Sequence, residues 1–231
     1  MSNSIHPTAI ISGDVHLGTG NTIGPYALLT GPLTVGDDNW IGAGVILGAP
    51  PEVRSFAHPR VATDGWGEGI VMGNNNVIRE YAQIHHGWHR QTTIHDDTFI
   101  MNQAYIAHDC NIGTGVTLAS SVLLAGTVTL GEGVNIGLTA SVHQRVTIGA
   151  AAMVGMGSVV RHDIPPLAKS FGNPARIRGA NTIGMERRGL SEAAIEAARD
   201  AYSQENPGAG WSVLAEIEEL ASFFTEWAKL P

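Results

Sequence analysis

The sequence has 231 residues, of which 43% are hydrophobic and 15% are charged, a balance that indicates a globular chain and excludes extensive disorder. Its formal net charge of -8 argues against a nucleic-acid partner, because phosphate contacts need clustered Lys and Arg, which are concentrated only towards the C-terminal end. The single cysteine, Cys110, cannot form an internal disulfide, and no apolar stretch approaches the length of a membrane span. We therefore expect a cytoplasmic protein without a transmembrane segment.

An aliphatic residue recurs at every sixth position from residue 5 onwards. The first run consists of Ile5, Ile11, Leu17, Ile23, Leu29, Val35, Ile41 and Leu47. The phase returns at Met72, Ile78 and Ile84, and then holds without exception from Ile94 to Val160. A period of six fits neither an α-helix nor a long flat strand, and it is typical of the hexapeptide repeats of a parallel β-helix. The predicted fold class is therefore an all-β parallel β-helix.

The repeat loses its phase twice, at residues 48–71 and 85–93. We predict that these two segments are loops extending from the prism, carrying "GAPPEVRSFAHPR" and "HHGWHRQTT". If three hexads make one coil, residues 18 apart in sequence stack one strand spacing apart, roughly 4.8 Å. This arithmetic places His108, Gly126 and Gln144 on one vertical line.

The repeat ends at two consecutive prolines, which cannot continue a regular β-ladder. We therefore divide the chain into a β-helical domain, residues 1–165, and an exit segment with a C-terminal helical region, residues 166–231. Ser191 is the predicted N-cap of a helix over residues 192–202. A second helix is predicted to begin at Ser212, because apolar residues follow it at helical spacing.

Several motifs together give the chain a resemblance to a known family. The hexads, followed by "NQAYIAHDC", "LAGTV", "SVHQ", "GNPARIRGANTIGMERRG" and a helical tail, resemble the UDP-N-acetylglucosamine O-acyltransferases that begin lipid A biosynthesis. The similarity runs along essentially the whole chain, with a shortened C-terminal region. The resemblance implies a homotrimer of left-handed β-helices with active sites in the clefts between subunits. It also implies transfer of an acyl group from an acyl-carrier-protein thioester to a hydroxyl of a UDP-amino sugar.

The same resemblance implies catalytic roles for His108 and Gly126, and Asp109 is a third candidate because it is next to His108 in the sequence. His108 of "AHDC" would be the general base, and the backbone N–H of Gly126 in "LAG" would bind the oxyanion. Asp109 could orient the imidazole only if the chain turns a corner at 108–109, because neighbours in a flat strand point to opposite faces. The family needs no metal and no cofactor, and its co-substrate is the thioester of carrier protein or coenzyme A.

Further residues match substrate-binding positions of that family. They are His143, Gln144, Met156, Asn181, Arg187 and Arg188. The arginine pair suits bidentate recognition of a nucleotide phosphate, or alternatively the acidic carrier protein. Met156 occupies the position that limits acyl-chain length, whereas His143 and Gln144 could contact substrate or only pack at the cleft. The histidines of the 85–93 loop are equally compatible with a solvated loop and with a site.

Some positions depart from the family pattern and leave the acceptor open. Tyr105 and Thr127 replace family histidines, and Ile183 replaces a carboxylate near the nucleotide site. The "PPEVR" segment is also one residue shorter than its counterpart. An N- or O-acyltransferase acting on a different nucleotide sugar, with acyl-CoA or acyl carrier protein as donor, is therefore an alternative.

Two other classes share the fold. The γ-type carbonic anhydrases bind zinc through three histidines, two of them five residues apart, but Gln103 stands five residues before His108 and removes one ligand. A purely structural β-helix would leave the "AHDC" histidine, the "LAG" glycine and the arginine pair without a role.

Overall fold

The structure is a computed structural model that describes residues 2–58, 67–203, 211–225 and 227–229. Twenty-three short strands, β1 to β23, wind into a prism with three parallel sheets as its walls. The first sheet contains β1 (Ser4–Ile5), β4 (Thr22–Ile23), β7 (Trp40–Ile41), β10 (Val77–Ile78), β13 (Phe99–Ile100), β16 (Thr117–Leu118), β19 (Asn135–Ile136) and β22 (Met153–Val154).

The other two walls have the same construction. The second sheet contains β2 (Ile10–Ser12), β5 (Leu28–Thr30), β8 (Ile46–Ala49), β11 (Gln83–His85), β14 (Tyr105–Ile106), β17 (Leu123–Leu124), β20 (Ser141–Val142) and β23 (Val159–Val160). The third sheet contains β3 (Val15–Leu17), β6 (Leu33–Val35), β9 (Ile70–Met72), β12 (Thr92–Ile94), β15 (Asn111–Ile112), β18 (Thr129–Leu130) and β21 (Thr147–Ile148). The predicted parallel β-helix is confirmed.

The hexad residues fill the interior of the prism. Most strands have two residues, so one side chain points outwards and the aliphatic one points inwards, as in Thr117–Leu118. Ile100, Leu118 and Ile136 are fully buried one above another along the first sheet. Burial of each such side chain contributes about 1.5–3 kcal/mol, which is why the repeat tolerates no polar residue at this position.

Three corners connect the sheets, and their register follows the predicted spacing. We call the turn from the first to the second sheet the first corner, from the second to the third the second corner, and from the third back to the first the third corner. Ile106 pairs with Leu124 and Leu124 with Val142, so residues 18 apart stack directly. Non-glycine residues at many corners have positive φ, which closes the turn in one or two residues.

Both loops leave the prism at the second corner. Strand β8 extends to Ala49 and β9 begins at Ile70, so the first loop is slightly shorter than the predicted 48–71, and residues 59–66 lie outside the described part of the chain. The second loop likewise follows β11 and precedes β12. Because both insertions lie at the second corner, the molecule extends further from the prism on that side.

A ladder of buried asparagines runs along the third corner of the lower coils. The side-chain oxygen of Asn39 accepts the backbone N–H of Asn76 at 2.9 Å, and its amide donates to Asn21 and to the Gly73 carbonyl at 3.0 Å. Asn21, Asn39 and Asn76 are almost fully buried. Because a buried polar group without a partner costs free energy, the ladder satisfies the corner backbone from coil to coil.

The C-terminal region adds a hairpin and short helices. Strand β24 (Ala168–Gly172) joins the first sheet parallel to β22, and β25 (Ala175–Ala180) pairs antiparallel with β24. The helices are α1 (Thr182–Arg187), α2 (Glu192–Ser203), α3 (Trp211–Ala215), α4 (Ala221–Phe224) and a 3₁₀ turn, Trp227–Lys229. None of the helices in the described ranges is long and apolar enough to cross a membrane.

The prediction for the last helices was partly wrong. Ser191 does cap α2, because its Oγ accepts the N–H of Ala194 at 3.2 Å. However, the single helix predicted from Ser212 is broken between α3 and α4. In that break Glu219 turns back to accept the Ser191 N–H and hydroxyl, both at 2.6 Å, so a tertiary contact overrides the helical pattern.

Candidate active site

The second corner brings His108 and Asp109 into direct contact. Asp109 has φ 62°, so the chain turns between the two residues instead of continuing as a flat strand. His108 Nδ1 and Asp109 Oδ2 are 2.8 Å apart, and Asp109 is 2% exposed whereas the His108 side chain is 17% exposed. The corner that the Asp109 interpretation required is therefore present.

The loop after β11 holds the other carboxylate oxygen of Asp109. Its Oδ1 accepts the backbone N–H groups of Trp88, His89 and Arg90 at 2.8, 2.9 and 2.9 Å. The Arg90 side chain also donates to the Asp109 carbonyl at 2.9 Å. Burial by itself would raise the pKa of the Asp109 carboxyl, but the His108 hydrogen bond and these three N–H groups lower it below its ordinary value. Asp109 is thus held as a carboxylate.

The ionised Asp109 carboxylate determines the tautomer of the neutral His108 imidazole. A carboxylate only accepts hydrogen bonds, so neutral His108 must carry its proton on Nδ1. The lone pair is then on Nε2, which faces Gly126. A Cβ added to Gly126 would lie 2.4 Å from His108 Nε2, so any other residue at this position one coil above would displace the ring. Trp88 closes another side, with its ring edge-on to the imidazole at 6.0 Å.

The column above Gly126 continues to Gln144. Both Gln144 and its neighbour His143 are exposed at the second corner, and His143 Nδ1 lies 3.2 Å from the Gln144 carbonyl oxygen. The structure therefore brings five of the candidate residues to one corner: His108, Asp109, Gly126, His143 and Gln144.

A polar cluster beside this corner was not identified from the sequence. His85 Nδ1 is 2.8 Å from Glu52 Oε2 and also 2.8 Å from the Pro50 carbonyl, and the Tyr105 hydroxyl donates to Glu52. Burial favours the neutral forms, but their mutual contact raises the pKa of His85 and lowers that of Glu52. Burial and Glu52 also raise the pKa of the Tyr105 hydroxyl. The 50–58 loop is thereby fastened to strands β11 and β14.

Met156 lies at a different corner of the prism. It follows β22 at the first corner, one coil above Leu138, and it is 73% exposed. Leu138 is itself 44% exposed, so the two residues form an exposed apolar patch at the first corner. Within one chain, Met156 does not fill space between coils and does not line the corner of His108.

Asn181, Arg187 and Arg188 belong to the third corner. The Asn181 side chain donates to the Ala151 carbonyl at 2.9 Å and accepts the Gly184 N–H at 3.3 Å, so its amide nitrogen and its amide oxygen both have partners within the chain. Arg188 donates to the carbonyls of Gly184 and Gly133, each at 3.0 Å. Arg187 is exposed and makes no hydrogen bond or ion pair with the described part of the chain.

Metal-ligating side chains do not cluster in the described residues: no group of three His, Cys, Asp or Glu could hold an ion there. Gln103, at the position where a γ-type carbonic anhydrase would have a zinc ligand, is exposed at the first corner, away from His108.

The fold and the repeat define the class. Residues 91–126 match the family described as bacterial transferase hexapeptide with six repeats, whose structures are left-handed β-helices, and the predicted fold class is confirmed. Residues 163–225 match domain 2 of the UDP N-acetylglucosamine O-acyltransferases. The coils therefore match a general hexapeptide-repeat family, and the C-terminal region matches the UDP N-acetylglucosamine O-acyltransferases.

Individual relatives agree with this similarity. The acyl-[acyl-carrier-protein]–UDP-N-acetylglucosamine O-acyltransferases of Paraburkholderia phymatum and Burkholderia orbicola are 43% and 39% identical over 136 residues, which is 58% of this chain. The chain spans about half the length of these curated relatives, 52%. The structure of UDP-N-acetylglucosamine acyltransferase from Campylobacter jejuni is 28% identical with a TM-score of 0.77, covering 96% of this chain and 92% of that one. The resemblance stated from the sequence is confirmed.

The contacts of Asp109 lead to a prediction about pH. Asp109→Asn should lower the free energy of unfolding at pH 7 by about 1–3 kcal/mol, because hydrogen bonds to a charged acceptor are stronger than those to a neutral one. Since the folded pKa is lowered, this stabilisation is complete above the unfolded value of about 3.9 and disappears as pH falls through the folded pKa. Urea unfolding from pH 7 downwards should therefore show the two proteins converging in acid.

Asp97→Asn is the matched control. Asp97 is also a corner aspartate with positive φ, 59°, but it is exposed and its side chain makes no hydrogen bond to a described residue. Its substitution should change stability by less than about 0.5 kcal/mol at every pH. A gap for Asp109→Asn that stays constant into acid would contradict the charged state assigned to Asp109.

Proposed function

We propose that this chain is an acyltransferase that moves an acyl group from an acyl-carrier-protein thioester to a hydroxyl of a UDP-amino sugar, in the reaction that begins lipid A biosynthesis. The names of the relatives support the reaction and its substrates. The observation that carries the proposal in this chain is the contact of His108 with Asp109 on one side and Gly126 on the other.

His108 is the proposed general base. Its Nε2 is directed away from Asp109 and can take the proton of an attacking hydroxyl, while the Asp109 carboxylate stabilises the imidazolium that forms. Asp109 keeps its charge through contacts that do not involve the substrate, so it is ready before the substrate binds. It is a positioning residue for His108.

Gly126 is the proposed oxyanion donor. Its backbone N–H makes no hydrogen bond with the part of the chain that the structure describes, and it lies one coil from His108. Attack on a thioester carbonyl places a negative charge on oxygen, and a free N–H at this distance from the base can stabilise that charge. The proton taken by His108 then leaves with the thiol of the carrier.

The partition of candidate residues among three corners supports a homotrimer. His108 and its neighbours lie at the second corner, Met156 at the first and Arg187 at the third, so one chain cannot direct them into a single cleft. Symmetric packing of prisms, with one protomer's second corner against another corner of its neighbour, would bring them together. We therefore propose active sites between subunits, with His143 and Gln144 along the wall that receives the nucleotide sugar.

His108→Ala should reduce turnover by about two to four orders of magnitude, because a general base is lost. His16→Ala is the control, since His16 is an exposed histidine in the first coil of the third sheet, several coils away from His108. Turnover is measured by mass spectrometry with thioesters of carrier protein and coenzyme A against several UDP- and dTDP-sugars. Retention of most activity in folded His108→Ala would rule out this base, and product only with another sugar would identify a different acceptor.

The two arginines should behave differently. Arg187→Ala should raise the KM for the nucleotide sugar several-fold and leave stability unchanged, because its guanidinium is free to bind phosphate. Asn181 and Arg188 are engaged within the chain, so Arg188→Ala should lower stability by about 0.5–1.5 kcal/mol. An acceptor without the diphosphate tests the assignment: an equal KM effect for both acceptors would make Arg187 structural.

Met156 should limit the acyl chain to about ten carbons or fewer, because each methylene that a groove buries contributes about 0.8 kcal/mol and a bulky side chain closes the groove early. Met156→Gly should shift the optimum of kcat/KM towards longer chains, measured over a ladder of acyl thioesters. The control is Met153→Ala on the outer face of the first sheet, which should leave the profile unchanged. An unaltered profile for Met156→Gly would leave this residue without a role in length selection.

A further inference from the structure

A cleft on the third sheet is separate from the corner of His108. It has a volume of about 560 Å³ and lies between the outer face of the third sheet and the C-terminal helices. Its floor includes Asn111, Thr129 and Thr147, and its roof includes Phe223 and Trp227. This volume is within the range of sites that bind small molecules.

The floor is a ladder of polar side chains. Asn111 pairs with Thr129 and Thr129 with Thr147, so the three outward side chains stack at a spacing of about 4.8 Å. Neither threonine hydroxyl makes a hydrogen bond to any residue in the described ranges. Asn111 Oδ1 is held by His95 Nε2 at 3.1 Å, which leaves the amide N–H groups of Asn111 available to a ligand.

The roof consists of aromatic side chains that are held by other aromatic rings. Trp227 packs edge-on against Trp211 with ring centroids 6.4 Å apart, and Trp211 stacks on the buried ring of Phe224 at 6.1 Å. Trp227 and Phe223 remain only half-buried, and both line the cleft. Aromatic side chains and the threonine hydroxyls of the floor therefore line the same open space.

The charges lining the cleft disfavour an anionic ligand. Among its lining residues, all of which lie in the described part of the chain, there is no Lys or Arg, and Glu132 is the charged group. A phosphate or nucleotide would meet a carboxylate without a compensating cation. A ligand with one apolar face for the aromatic rings and hydroxyls along its edge matches both walls.

We propose that this cleft binds a pyranose ring of a neutral saccharide, stacked against Trp227 and Phe223 and hydrogen-bonded to Asn111, Thr129 and Thr147. Such a site is distinct from the nucleotide-sugar site at the second corner, and it does not depend on the acyl-transfer proposal. The ring can come from a free sugar or from a longer glycan, which share this chemistry.

The test uses the whole chain and ligand-observed NMR. Glucose and N-acetylglucosamine represent free sugars, maltose and cellobiose represent glycans, and inorganic phosphate represents anions. Neutral saccharides should bind, and the Thr129→Val/Thr147→Val double variant should weaken binding by about tenfold or more, since it removes two hydrogen-bond partners but keeps the side-chain shape. Tighter binding of disaccharides would indicate a glycan, and equal affinities a free sugar.

Thr117→Val is the matched control, because Thr117 is an outward threonine of a two-residue strand in the first sheet and does not line the cleft. It should leave saccharide affinity unchanged. Absence of saccharide binding, binding that the double variant does not weaken, or a preference for phosphate would overturn the proposal.

Discussion

The structure depends on one constraint, the 18-residue register between coils. Aliphatic hexad residues must stay inside the prism, so each coil of three hexads stacks on the last without slipping, as Ile106, Leu124 and Val142 do. This register turns positions far apart in sequence into direct neighbours. It places Gly126 one coil above the His108 ring and stacks Asn111, Thr129 and Thr147 into a ladder.

The second corner shows how the backbone, rather than the side chains alone, builds the candidate site. Positive φ at Asp109 lets two adjacent side chains meet, which a flat strand forbids. Burial of the Asp109 carboxyl opposes its ionisation, but three N–H groups and an imidazole outweigh burial, since hydrogen bonds to a charged group contribute about 1.5–3 kcal/mol each. One carboxylate therefore orders the 88–90 segment and orients His108 at the same time.

Most of the fold could be predicted from the sequence because hexad periodicity is a local signal repeated many times. The stacking of His108 on Gly126 followed from that period alone. The loop contacts could not be predicted in the same way, because Trp88, His89 and Arg90 bind Asp109 through their backbone N–H groups, which leave no trace in residue type. Counting hexads in threes would nevertheless have placed both loops at the corner of His108.

Two further features were not predicted correctly for a related reason: tertiary contacts determine them. The broken C-terminal helix follows from Glu219 reaching Ser191, a contact across 28 residues that no helical pattern contains. The Glu52, His85 and Tyr105 cluster joins one residue from each phase break to strand β14. Where the period is lost, sequence distance no longer reports spatial distance, so these groups could be found only from the structure.

The three-corner arrangement is also the physical basis for proposing that the prisms assemble. The interior of the prism is filled with aliphatic side chains, so side chains at different corners cannot meet through it. The strands are also too short for one sheet by itself to form a deep cleft. Residues such as His108 and Met156 can face one substrate only if the corners of two prisms approach each other. Leu138 and Met156 form an exposed apolar patch, which a single chain would leave in water. The approach of a second prism would cover such a surface.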